Sequence, residues 1–414
     1  MLDIKFIREN PELVEEKAKQ KGYEIDVKKL LGTDKEILNE IAQLQPLREK
    51  RNKLASQSKA SKPSQQEIDE GKKLREDIVS KETILGEKVK EADELLRQVP
   101  NIFPDDTPLG GEENNKPERT WGKAEVKDVQ DHLKWGEARG LIDFERGAKV
   151  AGNKFYFLKG PLAELELAVF QLGFELAKKH GFTPMLVPHM VNTRTLEGAG
   201  FSARGAEKQV YKIEDEDLNL IATAEIPLTG YHADEMLNQK DLPILYVGLS
   251  PAYRVEGGAY GKHGKGLFRT HQFNKLELYA FCEPGKSEEL HQKLVALEEE
   301  MCQALEIPYQ VVRIAAGDLG APAYKKYDIE YWSPIDKTYR ELMSCSNVTD
   351  YQARRLNIRY KNANGKTEFV HTLNGTLAAM SRIAIAFIEN HQQADGKVAV
   401  PKALQPYMHG QTEF

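Results

Sequence analysis

Between Ser250 and Phe281 the chain reads SPAYRVEGGAYGKHGKGLFRTHQFNKLELYAF. Two β-rich runs flank a long loop, Gly257 to Gly266, which holds five glycines together with Lys262, His263 and Lys265. Arg254 and Glu256 stand two apart just before the loop, so on a strand they point to one face. After the loop, Arg269, His271, Phe273, Lys275 and Glu277 repeat with period two. That spacing predicts a strand face carrying cation, imidazole, aromatic ring, cation and carboxylate. A face so polar does not line an ordinary core. It suits a nucleotide, with a ring for a base, guanidiniums for phosphates and carboxylates for amino groups.

The 414 residues are too many for one small domain and suit a large domain with an appendage. With 40% apolar and 29% charged residues the composition is that of an ordinary soluble chain, and no run approaches a membrane span. The opening MLDIKFIRENPELVEEKAKQ has the alternation of an amphipathic helix and no signal-peptide core. Cys282, Cys302 and Cys345 are widely spaced, so neither a disulfide framework nor a zinc site is expected, and a reducing cytoplasm is the expected compartment. A net charge of -6 argues against indiscriminate nucleic-acid binding. DNA is therefore not an expected partner, and any RNA contact must come from a local basic surface. Neither G-x-G-x-x-G nor a P-loop occurs.

Such a surface lies in the first hundred residues. From Asp34 to Gln57, Ile37, Ile41, Leu44 and Leu47 recur at helical spacing, with Pro46 expected to kink or locally perturb the helix. After a break at Ser61-Lys62-Pro63-Ser64, a second amphipathic run with near-heptad spacing carries Leu74, Ile78, Leu85, Val89, Ala92 and Leu96. Two such helices predict an antiparallel hairpin with arms of about 40–50 Å, too thin to be a globular domain and so expected to project. Arg48, Lys50, Arg51, Lys53, Lys59 and Lys62 on the first arm face only Glu49 there, and Lys72, Lys73 and Arg75 lie across the turn. Taken alone, such a run is a solvated face; on a projecting hairpin it offers phosphate contacts.

Four further segments stand out. Pro100 to Trp121 is rich in Pro, Gly, Asp and Asn, as a domain junction is. A helix is predicted from Leu162 to His180, followed by a short strand in HGFTPMLVPHMVN. Thr223 and Glu225 end the apolar run LNLIATAEIPL and in isolation would read as a helix cap. Glu341 and Ser344 lie in RELMSCSN, and Asn374, Thr376 and Arg382 lie in LNGTLAAMSR, whose apolar run after Thr376 is predicted helical. Arg382 sits among Ala, Met and Ile, so a specific anionic partner is expected.

Together these segments resemble the class II aminoacyl-tRNA synthetases, in the form of the seryl-tRNA synthetases. R-x-E, the glycine-rich loop and F-R-x-H-Q-F-x-K-x-E look like motif 2, HGFTPMLVPHMVN like motif 1, and LNGTLAAMSR like motif 3. Pro108, Gly110, Glu113 and Asn115 match the family's linker pattern. The resemblance spans nearly the whole chain. It implies an α+β architecture, with a tRNA-binding helical hairpin over residues 1–103 and a catalytic domain over 104–414 built on an antiparallel sheet flanked by helices. It further implies a homodimer that activates L-serine with ATP and Mg²⁺ and transfers serine to serine tRNA, with selenocysteine tRNA as a further substrate where present.

By residue, the resemblance implies that Arg254 meets the α-phosphate and the substrate carboxylate, and that Arg382 and Arg269 meet the outer phosphates. Phe273 stacks on adenine, Glu256 accepts from its amine, and Glu341 and Ser344 hold ATP and its Mg²⁺. Thr223, Glu225, Glu277, Asn374 and Thr376 line the serine pocket. The basic hairpin residues are candidates for the long variable arm of the tRNA. Two positions depart from the family pattern: Met343 replaces a Ser and Ser381 replaces a Gly. Met343 is expected to be packing if it alternates away from the nucleotide. Three other readings stay open, the first a structural coiled-coil protein, which would not need the polar strand face at all. A synthetase-like ligase acting on a carrier protein would lack the basic hairpin. A non-catalytic RNA-binding relative would have lost Arg254, Glu277, Glu341 or Arg382, all of which are present.

Overall fold

The computed structural model describes residues 1–60, 64–201, 210–256 and 266–414, with main chain only for 57–60. The loop cations Lys262, His263 and Lys265 and the hairpin residue Lys62 lie outside the described residues, as does the side chain of Lys59. The chain divides into two compact units, Met1–Ile102 and Phe103–Phe414.

In the first unit two 34-residue helices, Val27–Ala60 and Gln65–Gln98, pack against each other. Both are longer than the hydrophobic spacing alone marks out. Pro46 lies inside the first helix, which continues past it. The second helix starts at a capping box: Ser64 Oγ accepts from Glu67 N–H while the Glu67 carboxylate accepts from Ser64 N–H at 2.7 Å. Leu44, Leu74 and Ile78 are buried as the pattern requires, whereas Ile41 and Val89 are nearly half exposed. Two helices cover only one side of each other, so apolar positions at the margin of the stripe stay in water.

The second unit is built on an eight-stranded sheet: β1 (Lys116–Trp121), β2 (Thr183–Leu186), β3 (Ile244–Tyr253), β4 (Gln272–Cys282), β5 (Tyr309–Arg313), β6 (Lys325–Ser333), β7 (Thr338–Thr349) and β8 (His371–Ala379). Its order is β1-β5-β6-β7-β8-β4-β3-β2, antiparallel throughout except for the β2–β3 edge pair. The predicted strand in HGFTPMLVPHMVN is two short ones, β2 and Met190–Val191, with Pro188 between them. The segment after Thr376 remains strand through Ala379, and the helix starts only at Met380. This corrects the sequence reading, and the reason is local: β8 pairs with β4 as far as Ala379↔Lys275.

Period-two alternation on β4 sorts its side chains. Leu276, Leu278, Ala280 and Cys282 enter the main core, shared with the helices Pro161–Lys179, Ser287–Ala304 and Met380–His391. On the other face Tyr279 and Phe281 enter a second apolar cluster. Phe273, Lys275 and Glu277 precede them on that same face and carry its polar end. No helix among the described residues is long and apolar enough to cross a membrane.

Candidate active site

The polar end of β4 is one wall of a cleft. Arg254 and Glu256 follow β3, Arg269 precedes β4, Glu341 and Ser344 come from β7, Thr376 from β8, and Ser381 and Arg382 open the helix Met380–His391. Residues more than a hundred positions apart thus line one cavity.

The predicted strand face is shorter than its spacing suggests. β4 begins at Gln272, so Arg269 and His271 precede it. Arg269 still reaches the cleft, where its guanidinium lies 3.1 Å from the Glu256 carboxylate. His271 turns elsewhere: its ring packs near Phe155 and Tyr211, and Nδ1 lies 2.9 Å from the Arg254 carbonyl. A turn at the strand end, which the alternation cannot register, separates these two side chains from the pleat.

At one end of the cleft the guanidiniums gather. Arg382 pairs with Glu341 at 2.6 Å, which is the anionic partner that its apolar neighbours called for. Burial opposes ionisation of Glu341, but Arg382 and then Lys326 outweigh it and hold the carboxyl at about 2. Arg254 stacks over the Phe273 ring at 5.2 Å. Its Nε is buried with no hydrogen-bond partner among the described residues. Burial, with Arg382 adding to it, lowers the Arg254 pKa. A buried donor with nothing to bond is a cost that folding alone does not explain.

Behind this end Lys326 pairs with Asp328 at 3.1 Å. Asp328 stands opposite Ser344 across the β6–β7 ladder, and its Oδ1 is buried without a partner among the described residues. Burial pushes this carboxyl up to about 7 against the pull of Lys326. Asn115, from the linker, ties the loop beside this end by donating to Asp318 at 2.9 Å and accepting from Ala315 N–H at 2.8 Å.

At the other end the buried groups are two carboxylates and a lysine. Lys275 and Glu277 form an ion pair of 2.5 Å, both side chains over nine-tenths buried. Removing either partner would strand the other charge at a cost of about 3–5 kcal/mol. Thr376, opposite Glu277 in the β8–β4 register, lies 3.5 Å from its carboxylate. The register slips by one residue just after Thr376, a bulge of the kind that re-aims side chains beside sites.

Glu225, the first residue of the helix Glu225–Gly230, lies buried beside this pair. Its N–H donates to Thr223 Oγ1 at 3.2 Å, so the cap-like turn and the carboxylate belong to one arrangement. Asn374 donates to Glu225 Oε1 at 3.1 Å and Gln352 donates to the same oxygen at 2.7 Å. Burial, followed by the nearby Glu277, raises the Glu225 carboxyl to about 7. Burial likewise raises Glu277, with Lys275 opposing it.

Met343 is fully buried in the main core, with its sulfur 3.9 Å from Cys302 Sγ. The alternation of β7 sends it away from Ser344, so this departure from the family pattern is packing. Ser381 lines the cleft and is buried. Sequence reasoning missed Gln352, Tyr279 and Asp328: each is a polar residue in an otherwise ordinary run, and only tertiary contact gives it a role.

On the helical unit the predicted basic surface is partly compensated. Arg48 pairs with Glu82 at 2.7 Å and Lys50 with Glu70 at 2.5 Å, across the two helices. Arg51 bonds to its neighbour Asn52, while Lys53, Lys72, Lys73 and Arg75 are exposed.

Residues 1–103 match the family model for the seryl-tRNA synthetase N-terminal domain. Residues 210–391 match that for the class II tRNA synthetase core domain (G, H, P, S and T). A serine–tRNA ligase of Dictyoglomus turgidum is 43% identical over 416 residues, covering 99% of this chain and 98% of its own. A crystal structure of seryl-tRNA synthetase from Pyrococcus horikoshii complexed with ATP matches with a TM-score of 0.91 at 41% identity, covering 100% of this chain and 99% of that one. A cytoplasmic serine–tRNA ligase from Naegleria fowleri in complex with AMP matches at 0.86 and 32% identity, covering 100% and 98%.

Proposed function

Because this chain belongs to the seryl-tRNA synthetase family of class II aminoacyl-tRNA synthetases, we propose that it is a serine–tRNA ligase using ATP. The observation that carries the reading is the polarity of the cleft. Guanidiniums with an unsatisfied buried donor occupy one end, and behind Lys275 and Thr376 at the other lie the buried carboxylates of Glu277 and Glu225. Arg254 is electrostatically coupled to both ends, to Arg382 and Glu341 and to Glu277. A phosphate chain and an α-ammonium are the groups such a cleft accepts.

In the first step a serine carboxylate oxygen attacks the α-phosphorus of ATP. The bond to the β-phosphate bridging oxygen breaks, leaving seryl-adenylate and releasing pyrophosphate. No side-chain nucleophile takes part, so positioning and charge stabilisation supply the catalysis. Arg254 is assigned to the serine carboxylate and α-phosphate, and Arg382 with Arg269 to the outer phosphates. Phe273 offers its ring to adenine and Glu256 an acceptor to its amine. Glu225 and Glu277 divide the serine ammonium and hydroxyl, with Thr223, Asn374 and Thr376 completing the pocket. A site that bonds a hydroxyl rejects alanine strongly, whereas threonine is turned away by steric fit. In the second step the 3′-terminal ribose hydroxyl of the tRNA attacks the adenylate carbonyl and AMP leaves.

The hard oxygens of Glu341 and Ser344 fit Mg²⁺, and the orphaned Asp328 Oδ1 opposite Ser344 marks further unspent anionic capacity there. Bound Mg²⁺ would neutralise phosphate charge, and Glu341 and Ser344 are the residues that would hold it.

Residues 1–103 are assigned to tRNA binding and 104–414 to catalysis. Lys53, Lys72, Lys73 and Arg75 are the leading phosphate contacts, because Arg48 and Lys50 are occupied by Glu82 and Glu70. A homodimer is supported by the exposed Val150 and Leu167, which line one surface cavity with Phe157. The cytoplasm is supported by three unpaired, buried cysteines. The test is charging of serine tRNA with labelled serine: deleting the long variable arm should abolish charging while ATP–pyrophosphate exchange persists. Equal charging with and without the arm would remove the assignment of the helical unit.

The raised Glu225 carboxyl gives the activation step a pH signature. Below about 7 Glu225 is protonated and loses its attraction for the ammonium. At saturating ATP, kcat/KM for serine is therefore expected to fall about tenfold per pH unit on the acid side of about 7. The limb should be weaker in kcat, because bound ammonium holds the carboxylate ionised. An acid limb found only in the ordinary carboxylate range would contradict the assignment.

A further inference from the structure

Gln352 sits on the short helix Tyr351–Leu356 and is completely buried. All of the hydrogen-bonding capacity of its amide is used. Nε2 donates to Glu225 Oε1 at 2.7 Å and to the Ala199 carbonyl at 3.0 Å. Its Oε1 accepts from Tyr279 Oη at 2.8 Å and from Thr372 Oγ1 at 2.7 Å. The carbonyl of Ala199 can only accept, so the orientation of the amide is fixed by its neighbours. Thr229 extends the network, donating to the Glu225 main-chain carbonyl at 2.7 Å with its oxygen 2.8 Å from Tyr279 Oη. The helix bearing Gln352 is itself clamped: Arg355 donates to the Glu197 carbonyl at 2.8 Å, and a Cβ at Gly198 would stand 2.4 Å from a Leu356 methyl.

Both side-chain hydrogen bonds to Glu225 among the described residues end on Oε1, one from Gln352 and one from Asn374. Oε2 accepts no side-chain hydrogen bond among the described residues, and Gln352 helps fix the carboxylate's orientation. We propose that Gln352 is a positioning residue that aims the Glu225 carboxylate and so sets the affinity for the α-ammonium of the amino acid. The proposal rests on the assignment of Glu225 to that ammonium. Gln352 is completely buried and is not assigned to either substrate. Its effect passes through Glu225, as an outer-shell donor fixes the group it bonds.

The test is Gln352→Glu in the full chain, which keeps the shape but replaces the donor with a second carboxyl beside Glu225. In serine-dependent ATP–pyrophosphate exchange the serine KM should rise by about tenfold or more, with the ATP KM changed less than about twofold. A stable sulfamoyl analogue of seryl-adenylate should lose affinity by a similar factor, while its desamino counterpart should lose none. Tyr279→Phe removes one donor to Gln352 and leaves the ring packed. It should move the serine KM in the same direction by a smaller factor, and it carries the test if Gln352→Glu does not fold. Parallel losses in both KM values, equal losses for both analogues, or an unchanged serine KM would overturn the proposal. Serine-dependent exchange by the unaltered chain, measured alongside, separates that failure from failure of the ligase reading itself.

Discussion

Arg254→Ala is expected to lower serine-dependent exchange by about 10³-fold or more, with no loss of thermal stability. The guanidinium lies at the junction of the two ends of the cleft, stacked on Phe273 and facing the charges of both Arg382 and Glu277. It is the group assigned to the α-phosphorus, where charge changes in the transition state, so its removal acts mainly on kcat. Its Nε finds no partner in the described protein. Removing a cation that burial disfavours and whose Nε is unsatisfied should leave the melting temperature unchanged or raise it. Arg254→Lys keeps charge but loses the planar fork, and should remain severely impaired. Activity within tenfold of the unaltered chain would mean that the α-phosphate is met elsewhere.

Glu225→Gln is expected to raise the serine KM by on the order of 10²–10³-fold, the scale of a broken buried ion pair. ATP binding should change by less than about threefold. The substitution is informative because the surroundings dictate how the new side chain sits. Gln352 and Asn374 both donate to Oε1, so the amide oxygen takes that place and the NH₂ replaces Oε2. A donor then faces the ammonium where an anion stood. The pocket keeps its volume, and only its sign changes. Comparable losses in serine and ATP binding would show instead that Glu225 supports the fold of the cleft.

Much of this cleft was legible in the chain. Phe273, Lys275 and Glu277 declare themselves because a polar face at period two has no place in a core, and their alternation with Leu276 and Leu278 survives in the sheet. Arg382 declares itself by standing in an apolar helix, which demands an anion, and Glu341 supplies it. Alternation also resolves Met343, since its neighbour Ser344 lines the cleft and it cannot do so as well.

What failed to show depends on where strands end and on contacts across long separations. Arg269 and His271 extend the period-two pattern, yet the chain leaves the pleat before Gln272 and sends them to different places. Leu377 to Ala379 have helix-compatible side chains but are held as strand by pairing with β4. The basic arm looked unopposed because Glu70 and Glu82 face it from the other helix. Gln352 gave no signal, because its four partners come from two strands, a helix and a turn, and none is near in sequence.

The most direct measurement is exchange of labelled pyrophosphate into ATP, with Mg²⁺ and without tRNA, in the presence of serine, alanine, threonine or glycine. Exchange is expected to depend on serine, with alanine and glycine near background and threonine far below serine. Folded protein that catalyses no exchange with any of the four, or exchanges equally well with alanine, would contradict the assignment of this cleft to serine activation.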